Sequence, residues 1–488
     1  MPVRNTISLL RPGRIAVCAA SVGVLACSES KRPDERAPIT APALQAAAPA
    51  TASGARTFDD EMADLADQVP GFGGMYMQSD GSFAVVSAMP GRELQTSQAV
   101  DAVLTQRGIA GAHRITVVRG QYNYRQLRDW LMKFATISRS GVVSSGIDSR
   151  DNRFHIGILS DAATSVVYSN LKVLGIPDSA VVVSVEKPSI ALSGDAVRRA
   201  SEPKAPFVTR LVDHVDVVRG GVGVSMSGTD GQSSHGPCTL TVVAAAQVFA
   251  SNTLPDYGGM KYGITVSHCT PTFGVNDGST MGNSSTSSVD RIGHEVADPP
   301  LFDHNVQPRC PVSRRCRWSD ASQFALDDPL AVADIGTVYD AETNGNPAII
   351  GSPYTLTQTF SPFAGFSVRK IGVGTGRTVG TIGQTCSDRT LFIYDNNFPP
   401  HSIDSGITLL CQYQFLGDAY FGDSGAPVLW FNNGHWNLIG IINSGVPNSE
   451  AWLSDWNWAW QELRQAWDNP PNRRMCPVVS PGTDCVFQ

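Results

Sequence analysis

The chain has 488 residues, which is long enough for two folded domains with extensions, and its formal net charge is -7 at pH 7. This mildly acidic balance, without any cluster of basic residues, argues against a nucleic-acid partner. With 46 glycines, 31 prolines and few long helical patterns, the composition favours a β-rich architecture.

The N-terminus has the pattern of an export signal. Three arginines accompany an apolar run that is too short to predict a membrane span: Arg4, Arg11 and Arg14. The run, 15–26, ends in Leu25 and the small Ala26 directly before Cys27, a pattern that resembles the bacterial lipobox, in which a residue smaller than Leu25 is commoner. The resemblance implies that 1–26 is a lipoprotein-type signal peptide and that the Cys27 thiol is lipidated. An ordinary secretory signal that is cut nearby is the alternative.

These features predict an exported protein of the bacterial cell envelope that contacts the membrane through its lipid anchor only. Ser28, where an aspartate would give an inner-membrane retention cue, makes the outer membrane an expected destination. Secretion after processing is the other expectation. Residues 27–56 are rich in Ala, Pro, Ser and Thr without an apolar period, which predicts a flexible linker.

The cysteines support export. Eight follow the signal segment, all from residue 238 onwards: Cys238, Cys269, Cys310, Cys316, Cys386, Cys411, Cys476 and Cys485. An even set in an exported chain predicts disulfides, most simply between sequential neighbours. Because no C-x-x-C pair with ligand spacing occurs, we expect no metal site and no cofactor.

Residues 57–195 contain no cysteine and alternate predicted strands with predicted helices. The clearest helix has Leu127, Trp130, Leu131 and Phe134 at the spacing i, i+3, i+4 and i+7. The order of strands, helices and hairpins predicts an α+β module.

Residues 196–219 are polar and broken by two prolines, which predicts a boundary and a processing region. We expect the N-terminus of a mature form between about residues 196 and 222. From 220 to 488, many short β-type runs separated by turn residues predict a barrel or sandwich. Near the end, five large apolar residues with helical spacing predict a helix that packs on the barrel, with carbohydrate or membrane contact as the alternative: Trp452, Trp456, Trp460, Leu463 and Trp467.

One short segment, 421–428, suggests nucleophilic chemistry. Ser424 stands next to Gly425 and directly after Asp423, and a serine hydroxyl needs a neighbouring base to become a nucleophile. His268 is the candidate base, because a β run delivers it and Cys269 follows it, which would fix the imidazole.

The acid that orients this base is expected between the two segments. Asp320 is favoured, since it has small neighbours and follows the closely spaced Cys310 and Cys316. Three other acids compete, with Asp334 the runner-up: Asp327, Asp328 and Asp334.

Segments 265–269, 319–321 and 422–428 follow one another in the order His, Asp, Ser, and they resemble the signature segments of chymotrypsin-like serine proteases. The resemblance covers 220–465. Segments 238–240, 370–372 and 375–377 resemble the bacterial branch of the family. The implied fold is an all-β domain of two six-stranded antiparallel β-barrels with a C-terminal helix, preceded by the α+β module.

The resemblance implies a role for each residue of the site. His268 would take the Ser424 proton, Asp320 would orient the imidazole, and the N–H groups of Gly422 and Ser424 would form the oxyanion hole. Asp423 would be a buried carboxylate that locks the loop by pairing with a cation. A freed α-amino group or an arginine would serve as that cation.

The substrate pocket is predicted less directly. Ser444 and Gly445 resemble the substrate-binding strand that follows the nucleophile. Asp418 lies six residues before Ser424, where the trypsin branch has its pocket-floor acid, and this would imply cleavage after Arg or Lys. Val446, where that branch has glycine, favours a small or hydrophobic pocket instead.

The N-terminal module resembles the prodomains of streptogrisin-type and α-lytic-type proteases. The resemblance lies in 124–130, 147–148 and 152–154. It implies a folding assistant and inhibitor that is later cut away, and a spacer domain is the alternative.

Taken together, the sequence predicts an exported serine endopeptidase that acts on proteins or peptides. A non-catalytic binding protein on a protease fold is one alternative. An acyl hydrolase of the esterase type is another, although the usual Gly-x-Ser-x-Gly elbow is absent around Ser424.

Overall fold

The computed structural model describes residues 57–106, 109, 114–137, 140–193, 209–227, 233–248, 261–283, 291–327, 332–343, 347–394, 402–466 and 473–476. The chain divides into two compact units, Met1–Ala47 and Ala48–Gln488. The first unit lies outside the described residues, and so do the predicted signal, Cys27 and the predicted linker. Among the described helices, none has the length and apolar character needed to cross a membrane.

Five α-helices are described: α1 Phe58–Gln68, α2 Glu93–Gln106, α3 Tyr124–Ala135, α4 Thr164–Val173 and α5 Trp456–Ala466. The strands of the N-terminal module are β1 Phe72–Met77, β2 Phe83–Ser87, β3 Ile115–Arg119, β4 Val142–Asp148, β5 Arg153–Ile158, β6 Val181–Val185 and β7 Ser189–Ala191.

The strands that follow are β8 Val217–Gly220, β9 Gly223–Ser227, β10 Ser233–Thr239, β11 Val242–Val248, β12 Lys261–Val266, β13 Thr280–Gly282, β14 Arg291–Ala297, β15 Arg315–Arg317, β16 Ala321–Leu326 and β17 Val332–Val338. The remaining strands are β18 Tyr354–Thr359, β19 Ser367–Gly372, β20 Gly376–Ile382, β21 Ser387–Tyr394, β22 Ser402–Leu416, β23 Pro427–Asn432, β24 His435–Val446, β25 Glu450–Asp455 and β26 Arg473–Cys476.

The N-terminal module is an α+β structure, as predicted. Strands β1, β2 and β3 form a small sheet, and β4, β5 and β6 form the edge of a second sheet. Helix α3 starts at the N-cap Asn123, whose side chain accepts from the Gln126 N–H. All four apolar residues of its predicted face are buried, so burial of this stripe holds the helix on the module: Leu127, Trp130, Leu131 and Phe134.

The first β sheet of the C-terminal part has the order β10-β9-β13-β14-β16-β12-β11-β26. Strand β10 pairs with β9. Two residues later the same chain segment continues as β11, which pairs with β12. The bent segment of β10 and β11 therefore connects β9, at one end of the run of strands, with β12, at the other end. Strands β9, β13, β14, β16, β12 and β11 thus form the six strands of the first barrel.

The second β sheet closes into a ring of six antiparallel strands. The pairs are β19–β20, β20–β22, β22–β25, β25–β24, β24–β23 and β23–β19. Closure leaves this barrel without an edge. With α5 after the second barrel and the α+β module before the first, the predicted fold class is confirmed.

The C-terminal helix is shorter than its aromatic spacing suggested. Trp452 lies in β25, because pairing with β22 and β24 claims this segment, and α5 begins only at Trp456. The helix buries Trp456, Trp460 and Leu463 against the first barrel, as expected. Trp467, the last residue of the predicted pattern, lies outside the described residues.

The module and the second barrel share one sheet and one buried charge cluster. Strand β4 pairs antiparallel with β21, so the module sheet continues into the barrel. Asp59 of α1 is fully buried against Arg309, with its Oδ2 at 2.9 Å from the guanidinium, and it accepts a hydrogen bond from the Tyr124 hydroxyl at 2.7 Å. Arg309 also binds Asp388 at 2.8 Å. Two carboxylates thus compete for one guanidinium inside the protein.

This cluster predicts an unusual pH dependence. Burial, opposed by Arg309 and Tyr124 and reinforced by Asp388 and Asp60, raises the pKa of Asp59 from 3.8 to about 6. A carboxyl whose pKa is raised by folding binds more protons in the folded state, so its contribution to stability falls as pH rises from about 4 to about 6. We expect this loss to be about 3 kcal/mol in the free energy of unfolding. The measurement is urea unfolding of the Ser424→Ala chain and of the same chain carrying Asp59→Asn, at several pH values. The difference between the two free energies of unfolding should change with pH. A difference that stays constant would contradict the prediction.

Candidate active site

His268 lies between an acid and a serine. Its Nε2 is 2.6 Å from the Ser424 Oγ, and its Nδ1 forms a short hydrogen bond with the Asp320 Oδ2. The His268 backbone N–H also donates to Asp320 Oδ1 at 3.2 Å. All three side chains are buried. The arrangement can move a proton from the serine to the imidazole while the carboxylate holds the opposite ring nitrogen.

The competing acids lie in other ion pairs. Asp334 binds the Arg219 Nε at 2.8 Å. Asp327 binds Arg291 at 3.0 Å and His294 at 2.6 Å, and Asp328 lies outside the described residues. Asp320 is therefore the acid that the fold brings to His268.

His268 is fixed from its backbone neighbours. It lies in a short 3-10 turn, Ser267–Cys269, directly after β12, and Cys269 is bonded to Cys238. The Ser267 hydroxyl donates to the Asp298 Oδ2 at 2.7 Å. Arg317, fully buried, binds the other oxygen of Asp298 at 2.7 Å. No pattern in the sequence predicted the acid and the guanidinium of this network.

Asp320 is positioned by the C-terminal helix and by β25. The backbone N–H groups of Trp318 and Ser319 donate to the Glu462 carboxylate of α5 at 2.9 and 2.8 Å. The Asp320 N–H donates to the Ser454 Oγ at 3.1 Å. Burial raises the pKa of Glu462, and Arg317 and these donors oppose that rise. Glu462 is a positioning residue that the sequence pattern did not reveal.

Asp423 is a buried loop lock, and its cation is a lysine. Lys370 of β19 places its Nζ 2.7 Å from the Asp423 Oδ2, and both side chains are fully buried. The carboxylate also accepts from the N–H groups of Gly374, Thr375 and Tyr420 at 3.0, 3.2 and 2.9 Å. Neither an α-amino group nor an arginine is needed, because the lock is internal to the barrel.

Two glycines allow the tight turn around the serine. Gly422 has φ +97° and Gly425 has φ +87°, a backbone region that favours glycine. A Cβ at Gly425 would lie 1.9 Å from the Thr239 carbonyl oxygen. The turn therefore packs directly on the strand that carries Cys238.

The cleft beside Ser424 holds the end of the N-terminal module. The Gly422 N–H, one of the two predicted oxyanion donors, donates to the Leu192 carbonyl at 2.6 Å. The residues before Leu192 form β7, which pairs antiparallel with β24 through Ala191 opposite Ser444 and Ile190 opposite Gly445. The segment is thus bound as an extended peptide at the serine.

The predicted pocket residues occupy different places. Ser444 and Gly445 face the bound segment, and a Cβ on Gly445 would lie 3.3 Å from the Leu192 Cδ1. Val446 is paired with Glu450 of β25. Asp418 is half-buried, and its Oδ1 is buried without a hydrogen-bond partner among the described residues.

Three of the four predicted disulfides join the predicted neighbours: Cys238–Cys269, Cys310–Cys316 and Cys386–Cys411. The fourth, between Cys476 and Cys485, lies outside the described side chains. Among the residues described, one group of three ligating side chains is close enough to hold a metal ion, in the β4–β5 hairpin of the module: Asp148, Asp151 and His155.

No family model and no curated protein matches the chain. Similar solved structures include Thermobifida fusca Protease A (14% identity, TM-score 0.30, 50% of this chain and 94% of that one). Cellulomonas bogoriensis chymotrypsin has 16% identity and a TM-score of 0.33, covering 54% of this chain and 100% of that one. Nocardiopsis protease has 16% identity and a TM-score of 0.32, covering 53% and 98%. Each likeness concerns about half of this chain.

Proposed function

We propose that this chain is an exported serine endopeptidase that is made with its N-terminal module as an inhibitor. The observation that carries the proposal is the buried His268 between Asp320 and Ser424, beside an extended peptide whose carbonyl the Gly422 N–H binds. A peptide lying in this cleft favours peptide bonds over other acyl substrates. A non-catalytic scaffold would not need this arrangement.

The reaction follows from the positions of these groups. The Ser424 Oγ attacks the carbonyl carbon while His268 Nε2 takes the hydroxyl proton, and the oxyanion is held by the N–H groups of Gly422 and Ser424. His268 then gives this proton to the leaving amine as the C–N bond breaks. Water, activated by the same imidazole, hydrolyses the acyl-enzyme and restores the Ser424 hydroxyl.

In this proposal the module acts as an inhibitor that occupies the cleft and as a folding aid. It blocks the cleft by occupying it, since the segment before Leu192 takes the place of a substrate on β24. It also supplies β4 to the edge of β21, which would support the barrel during folding. If Cys27 is lipidated, cleavage between module and barrel leaves the anchor on the module.

A fluorophosphonate probe tests the nucleophile. We expect the chain that has been cut between module and barrel to be labelled and to cleave casein, and Ser424→Ala to abolish both, because the probe reacts only with an activated serine. Ser367→Ala, an exposed serine at the start of β19, is the matched control and should keep both signals. Labelling that survives Ser424→Ala, or a wild-type chain that is never labelled, would reject the proposal.

A further inference from the structure

Strand β7 has a neighbour on each side. On one side it pairs antiparallel with β24. On the other it pairs parallel with β21, with Ser189 opposite Leu391 and Ile190 opposite Phe392. The Ser189 hydroxyl also donates to the Ser444 Oγ at 2.8 Å. The bound segment is therefore the middle strand of three.

The edge of β21 that holds β7 would become accessible without the module. Strand β22 occupies one side of β21 along most of its length. The other side is shared end to end by β4, at Asp388 and Arg389, and by β7, at Leu391 and Phe392. Both β4 and β7 belong to the module. Removing it leaves an unpaired strand edge beside the cleft, and such an edge binds extended peptides.

The side chains of the bound segment fill defined places. Leu192 is fully buried and packs on the open face of Gly445. Ala191 is 3% exposed in an apolar cluster with Leu391 and Leu409. A small residue fits this second place, because the cluster closes over it, and an aliphatic residue fits the first.

Asp418, the acid that was predicted for the pocket floor, interacts with a lysine of the protein itself. Asp418 acts electrostatically on the Lys370 ammonium, which also binds Asp423. The Leu192 side chain brings no charge to pair with Asp418. The bound segment thus favours an aliphatic pocket over one that is selective for Arg or Lys.

Building on the proposed function, we propose that the enzyme cleaves extended polypeptides after leucine, with a small residue before it. The chain preceding the scissile bond is clamped between β24 and β21. The first such substrate is the enzyme's own Leu192–Ser193 bond. There the Ser424 Oγ forms an ester with the Leu192 carbonyl carbon, the Ser193 nitrogen leaves with the proton from His268, and water releases Leu192 as a carboxylic acid. This bond lies just before the predicted processing region 196–219, so the expected N-terminus moves from the range 196–222 to Ser193.

Substitution of Leu192 in the full chain tests the position before the bond. We expect Ser193 as the new N-terminus in the wild type and in Leu192→Met. Leu192→Arg should slow this cut at least about tenfold, since a hydrophobic pocket discriminates by this order. Leu159→Arg, at an exposed leucine of the module, is the control and should be cut normally. Mass spectrometry and N-terminal sequencing over time give the rates, and equal rates for Leu192→Arg and the wild type would overturn the leucine preference.

Peptides spanning 186–196 test the clamp with the self-processed chain. Adjacent amides of an extended strand point to opposite sides, so β24 and β21 bind different N–H groups. N-methylation at Ile190 and at Ala191 should each lower kcat/KM about three- to tenfold, whereas N-methylation at Lys187, before β7, should not. An effect at only one of the two positions would overturn the two-strand clamp.

Fluorophosphonate labelling of the same preparation separates the two proposals. A labelled enzyme that cuts after Arg or Lys, or that ignores residues before the bond, retains the proposed function and overturns this inference. A preparation that is neither labelled nor able to cut any peptide overturns both.

Discussion

Replacing Asp320 with asparagine is expected to lower kcat by about four orders of magnitude while leaving the fold intact. The Asp320 carboxylate accepts from His268 Nδ1 and so keeps Nε2 available to take the Ser424 proton. An asparagine can present N–H to Nδ1 instead. The imidazole would then carry its proton on Nε2, where it cannot act as a base toward Ser424.

The matched control is Asp334→Asn, because Asp334 is the acid that the sequence left as runner-up. Its ion pair with Arg219 is partly exposed, and we expect kcat to stay within about twofold of wild type. The measurement is peptide hydrolysis by each self-processed or separately activated chain, with unfolding curves recorded beside it. Equal losses in the two variants, or none in Asp320→Asn, would remove Asp320 from the mechanism.

The residues around His268, Asp320 and Ser424 could be predicted because their chemistry is written in short local segments. Each lies at the end of a strand or in a tight turn whose small residues and glycines are visible in the sequence. The sequential cysteine pairs could be predicted for a similar reason, since each disulfide joins two cysteines that are close in sequence.

Features that depend on long-range backbone pairing could not be predicted. The register of Ile190 opposite Gly445 joins residues far apart through main-chain hydrogen bonds, which every residue type except proline can donate. The same applies to Glu462, which reaches Ser319 only once α5 is docked. Lys370 belonged to a segment with a recognised resemblance, but its partner was not apparent because only the fold brings β19 to Asp423.

The Lys370–Asp423 pair also bears on how the proposed inhibition by the module would work. In a lock that needs a new α-amino group, cutting the chain would build the oxyanion site. Here the cation comes from β19, and the Gly422 N–H already binds a carbonyl in the uncut chain. The proposed oxyanion site would therefore be assembled before cleavage, and the proposed inhibition would depend on occupancy of the cleft by β7 and Leu192.

Removing the lysine alone should be severely destabilising. Lys370→Met leaves the Asp423 charge buried without its cation, and we expect a loss of about 3–5 kcal/mol in the free energy of unfolding. Burial lowers the pKa of Lys370 against the opposing effect of Asp423, so the pair is costly to bury even when intact. Arg377→Met is the control: its pair with Asp340 is partly exposed, and we expect a loss of about 1 kcal/mol or less.

The double variant Lys370→Met/Asp423→Asn distinguishes stability from catalysis. It removes both charges, so part of the lost free energy of unfolding should return. Activity should not return with it, because an asparagine Nδ2 in place of Oδ2 would face the Tyr420 N–H, donor against donor, and disturb the turn that holds Gly422. We expect kcat to stay about a hundred- to a thousandfold below wild type, the loss associated with one oxyanion donor. Urea unfolding and peptide hydrolysis on the same samples measure both effects, and recovery of activity together with stability would show that the ion pair does not position the oxyanion site.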